Sequence, residues 1–122
     1  MKITILTNRD LASHIALTRL VQGLSDHQLN IFISEKVGAD HRLPQPLVDL
    51  AAFEKRQIAA AKMSFDDLAR LAGCELQGFA DIDNRVNGLE GLQRIRASAP
   101  ELIISVRFGL IIRDAVIAIP QY

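Results

Sequence analysis

At 122 residues, 49% of them apolar and 23% charged, the chain can bury one small core and is too evenly apolar to be disordered. Fourteen basic and fourteen acidic side chains cancel, which removes the long-range pull of a basic protein on phosphate backbones or anionic lipid, so nucleic acid is not an expected partner. A single cysteine, Cys74, excludes an internal disulfide and a Cys-rich metal site. No apolar run approaches the roughly 20 residues that cross a bilayer, and the start leads straight into a strand pattern with no signal-peptide core, so a cytoplasmic location is expected.

Residues 2–7, Lys-Ile-Thr-Ile-Leu-Thr, are β-branched and apolar and run into Asn8-Arg9-Asp10, which predicts a buried strand ending in a polar loop. Leu11, Ile15, Thr18, Val21 and Leu24 then recur at spacings of three and four, the pattern of one helical face, with Asp10 placed to cap the first turn. Residues 29–34 predict a second strand covered on both faces. Glycine, two prolines and charges at 38–46 predict a surface loop. Residues 47–63 follow as an alanine-rich helix with Leu47, Leu50 and Phe53 available to one face.

Ser64 and Asp67 have the spacing of a capping box, and Gly73 stands where a helix over 65–72 should stop. Residues 74–79 predict a short third strand, weakly marked, and 81–84 a loop. Asn87 and Glu90 again have cap spacing, and Leu89, Leu92 and Ile95 mark a helix that Pro100 ends. Residues 102–106, Leu-Ile-Ile-Ser-Val, predict a fourth strand, and a short helix over about 112–119 closes the chain. Strands alternating with helices require crossovers, so the expected fold is a single α/β domain over residues 1–122: a Rossmann-like, three-layer arrangement with a mostly parallel sheet.

In such a sheet ligands gather beyond the carboxyl ends of the strands, which singles out two loops. Asn8 and Arg9 follow the first strand, where helix-terminal amides and a guanidinium could hold an anion; the bland alternative is a capped helix with a solvated arginine. No glycine-rich fingerprint is present, so the dinucleotide and P-loop readings lose their support. After the fourth strand come Phe108, Gly109, Leu110, Ile111 and Ile112. They could wall a flat heteroaromatic ring while their backbone bonds the ring's edge, although composition alone would make them core and turn. His14, His27 and His41 lack a metal-pair spacing and are expected at the surface. Asp66 and Asp67 read as helix caps and Asp81 and Asp83 as loop residues, so no catalytic or metal-binding residue is assigned.

The stretch from Ala99-Pro100-Glu101 through 102–106 and Arg107-Phe108-Gly109-Leu110-Ile111-Ile112 to Ile119-Pro120 resembles the folate-dependent formyltransferases that act on methionyl-tRNA, glycinamide ribonucleotide or amino sugars. The opening strand and residues 81–84 share in the resemblance, which is specific over 99–120 and poor over 38–80. It implies the amino-terminal half of the formyltransferase fold. It also implies that Phe108, Gly109, Leu110, Ile111 and Ile112 wall the pterin ring of 10-formyltetrahydrofolate, while Asn8 and Arg9 lie towards the acceptor amine. The loop at Asn8 departs from the glycine-containing version of the purine enzyme. In that family an asparagine, a histidine and an aspartate, from the strand after the position of Tyr122 onward, stabilise the oxyanion and move the proton as the amine attacks the formyl carbon. A chain ending at Tyr122 is thus expected to be a fragment, inactive alone. Its 102–106 strand would offer an unpaired apolar edge and a route to self-association. The competing expectation is a non-catalytic α/β module that binds a small ligand or a protein.

Overall fold

A computed structural model of the protein describes residues 1–35, 44–80 and 86–122. Strand β1 (Lys2–Asn8) leads to helix α1 (Leu11–Gly23), strand β2 (Gln28–Glu35) and helices α2 (Gln45–Ala60) and α3 (Phe65–Leu71). Strand β3 (Leu76–Ala80), helix α4 (Leu89–Ala97), strand β4 (Leu102–Ser105) and the short helix α5 (Asp114–Ile117) complete the order. The four strands lie in the order β3-β2-β1-β4, and every pairing is parallel. The order runs outward from β1 to β3 and then returns to the far side of β1, so the connections diverge between β1 and β4. That is the switch point of a doubly wound sheet.

The pleat sends alternate residues to opposite faces, and two cores result. On one face Ile3, Ile5, Ile31 and Ile33 pack with Leu17 and Val21 of α1 and with Phe65 and Leu68 of α3. On the other, Leu6, Phe32 and Phe79 pack with Val86, Ile95 of α4, Leu110 and Val116 of α5. Helices therefore cover both sides of a parallel sheet, the three-layer arrangement expected from the alternating elements. Among the described residues no helix is long and apolar enough to cross a membrane.

Several local expectations change. The buried side of α1 is Ser13, His14, Leu17 and Val21, while Ile15 is exposed. The face is rotated because His14 is drawn inward: its ring meets Phe65 edge-on at 5.1 Å and its Nε2 hydrogen-bonds the Met63 carbonyl at 2.7 Å. His14, 7% exposed, is thus not a surface histidine, whereas His27 is exposed. Helix α2 starts earlier than expected, with Pro44 as N-cap and Pro46 in its first turn, where its missing N–H costs nothing. Leu47, Leu50 and Phe53 stay exposed. Ile58 is the α2 residue that reaches the core.

The capping box of α3 is present, with the Asp67 N–H donating to Ser64 Oγ and the Ser64 N–H to Asp67 Oδ2. Gly73 follows at φ +78°, where a side chain would be strained. Helix α5 is shorter than expected. Of the loop foreseen at 38–46, residues 38–43 lie outside the described residues, as do His41, the loop at 81–84 and its Asp81 and Asp83.

Candidate functional site

The loops after β1 and β4 meet at the switch point. Asp10 caps α1, its Oδ1 accepting the Ser13 N–H at 2.7 Å, and its Oδ2 takes the Arg107 Nε–H at 2.8 Å. Arg107 follows β4 with φ +55°, an unfavourable backbone for a residue with a Cβ, and it is from this conformation that the guanidinium reaches Asp10. Partial burial pushes the Asp10 carboxyl up, but the hydrogen bonds from Ser13 and Arg107 and the arginine charge outweigh it, and the group titrates below its ordinary value.

A second tie runs through Ser34 at the end of β2. Its buried hydroxyl accepts the Gly109 N–H at 3.0 Å and lies within donating distance of the Thr7 carbonyl at 3.3 Å and Asn8 Oδ1 at 3.2 Å. Asn8 Oδ1 also accepts the Arg9 N–H at 2.8 Å. A Cβ on residue 109 would stand 3.0 Å from Ser34 Oγ, so glycine is what permits the approach. β1, β2 and the β4 loop are thereby joined through one hydroxyl.

The segment from Phe108 to Ile112 alternates. Phe108 is half-buried, edge-on to Phe79 with ring centroids 6.4 Å apart. Gly109 is exposed, Leu110 is buried, Ile111 is 71% exposed, and Ile112 packs partly against the second core. Among the described residues the main-chain N–H and C=O groups of Leu110 and Ile112 have no partner. This is a surface with an aromatic ring at one end, an aliphatic side chain projecting from it, and backbone donors and acceptors between.

Arg9 is exposed, beside a helix capped by Asp10, and is not aimed at the β4 loop. Its Nε and Nη2 grip the Glu35 carboxylate at 2.8–3.1 Å, and that hydrogen-bonded pair raises its pKa. Gly78 of β3 makes the arrangement possible, because a Cβ there would come within 2.8 Å of Glu35 Cγ. Arg9 instead borders a cleft of about 490 Å³ over Phe65, lined on its other side by Ala51, Glu54, Lys55, Ile58 and Ala59 of α2. Asn8 and Arg9 therefore sit together but divide their contacts, Asn8 towards Ser34 and the β4 loop and Arg9 towards this cleft.

Sequence reasoning missed Ser34 and Glu35 because each acts across strands, and a strand pattern carries no signal for its partners. It misassigned Asn87: the N-cap of α4 is Gly88, and the Asn87 amide bonds the chain ahead of α5 instead. Cys74 is half-buried, and burial raises its thiol pKa, which favours the protonated form. Among the described residues no group of three or more His, Cys, Asp or Glu side chains is placed to hold a metal ion. No protein-family model matches the chain, and no curated protein matches it.

Proposed function

We propose that this chain forms the folate-facing, amino-terminal half of a formyltransferase, an enzyme that in its intact form moves a formyl group from 10-formyltetrahydrofolate to an acceptor amine. The observation that carries the reading is the segment from Phe108 to Ile112. It lies beside the switch point of a parallel sheet, where ligands of such folds bind, and carries an aromatic ring, an outward isoleucine and, at Leu110 and Ile112, main-chain groups with no partner among the described residues. Those residues fit a flat ring whose edge presents both donors and acceptors, as a pterin does. Their identity is also what resembles the formyltransferases. In this reading Phe108 and Ile111 hold the ring's faces and the main chain of Leu110 and Ile112 bonds its edge. The acceptor lies on the side of Asn8 and of the cleft beside Arg9, a volume suited to a small amine. The residues that would stabilise the oxyanion and move the proton in that family have no counterpart here, so the chain alone binds and does not turn over.

Titration with a stable 10-formyltetrahydrofolate analogue, followed by ligand-detected nuclear magnetic resonance into the millimolar range, tests the proposal. Saturable binding is expected, weakened about tenfold, or about 1.4 kcal/mol, by Ile111→Glu at unchanged melting temperature. A blank titration with the unsubstituted chain would sink it. That outcome would favour the second reading, a non-catalytic binding module, which has its own observation in α2: Leu47, Val48, Leu50 and Phe53 are all exposed on one helix.

A further inference from the structure

Asn87 precedes α4 at the position where its spacing from Glu90 suggests a helix cap, and it caps nothing. Its Nδ2 donates to the Ile111 carbonyl at 2.6 Å, and its Oδ1 accepts the Arg113 N–H at 3.0 Å. Bonds to the C=O of one residue and the N–H of the second residue after it are what a neighbouring strand offers in a parallel ladder. One carboxamide, which carries a donor and an acceptor side by side, thus stands in for a strand and ties Ile111 to Arg113, whose backbone is extended. At the other end of the segment Gly109 is fixed by Ser34. Between the two anchors the alternation is set: Leu110 turns into the core at 9% exposure and Ile111 turns out.

We infer that Asn87, with Ser34 as the second anchor, is the positioning residue of the segment, holding Ile111 outward and leaving the main chain of Leu110 and Ile112 free for a ligand. The clamp follows from the contacts alone; that the ligand is a folate rests on the function proposed above. Its physical effect is preorganisation. A loop that is already ordered does not lose that freedom when the ligand arrives, so the affinity is higher for the same contacts. The choice of asparagine is specific. Aspartate could accept from Arg113 but could not donate to Ile111, and its charge would face a carbonyl oxygen.

The test is amide hydrogen exchange on the whole chain, unsubstituted and as Asn87→Ala and Asn87→Asp, joined to the folate-analogue titration. Exchange at Arg113 should accelerate about tenfold in Asn87→Ala and remain slow in Asn87→Asp, with β1 and β2 amides unchanged in both. Analogue binding should weaken about tenfold in Asn87→Ala, equivalent to about 1.4 kcal/mol, without a fall in melting temperature. Unchanged Arg113 exchange in Asn87→Ala would overturn the clamp, and so would unchanged affinity in a variant whose Arg113 has lost protection. If the exchange pattern holds and the unsubstituted chain binds no folate analogue, the clamp stands and the folate assignment falls.

Discussion

Asp10 has two partners, one on each carboxylate oxygen: the first turn of α1 through the Ser13 N–H and the β4 loop through Arg107. Both favour the charged form, and the folded pKa lies below the ordinary one. An aspartate whose folded pKa is depressed contributes stability above its unfolded value, near 3.9, and loses the contribution as pH falls through the folded value. Asn is as good an N-cap as Asp, so Asp10→Asn removes the ion pair while keeping the cap. Because Arg107 is largely exposed, solvent screens the pair and the loss at pH 7 should be no more than about 1 kcal/mol. Urea unfolding at pH 7, 5 and 3 checks this. The gap between the two proteins should narrow as pH falls below about 3.9, and a gap unchanged from pH 7 to pH 3 would mean that the charge is not the cause.

Among the elements, β1, β2 and β4 were legible because each is a short β-branched run bounded by turn residues, and the α3 box was legible because its partners are three residues apart. β3 was weakly marked for a reason that the tertiary contacts supply. Gln77 and Gly78 are poor strand formers, but Gly78 makes room for Glu35 and its carbonyl accepts from Arg94 Nη1 at 2.9 Å. Phe79 stacks on Phe32 with centroids 5.2 Å apart, and the Arg94 guanidinium lies 4.3 Å above its ring. β3 is therefore held by what packs on it more than by propensity. Phe79→Ala should destabilise the protein by about 3–5 kcal/mol. Phe79→Leu keeps most of the volume and forfeits the ring contacts, so about 1–3 kcal/mol is expected. Denaturant unfolding of the two variants checks the order. A negligible loss in Phe79→Leu would mean that the aromatic contacts contribute nothing beyond volume. The site was legible as two loops by the doubly wound rule. Its ties through Ser34, Glu35 and Asn87 were hidden, since each pairs residues at least 24 positions apart.

At the scale of the molecule the outer edge of β4 is where pairing between copies of the chain is to be tested. The sequence led us to expect a bare apolar edge over 102–106, and the chain's own end alters that expectation. The Tyr122 N–H donates to the Glu101 carbonyl at 3.0 Å, and the Ile103 N–H donates to the Tyr122 carbonyl at 3.3 Å, one rung of a parallel ladder. Beyond that rung the Val106 N–H bonds Leu6 in β1, so by alternation the main-chain groups of Ser105 face outward. Two copies related by a two-fold axis would pair these edges antiparallel, and Tyr122 would have to leave its rung first. Self-association through β4 should therefore be weak in the chain as it stands and stronger when Gln121 and Tyr122 are removed. Ser105→Pro, which takes away an outward N–H without touching the β1 ladder, should abolish it in both. Sedimentation equilibrium across a concentration series separates the cases. If the shortened chain associates no more than the full one, or Ser105→Pro leaves association intact, the copies meet through another surface, and the exposed apolar residues of α2 become the place to look.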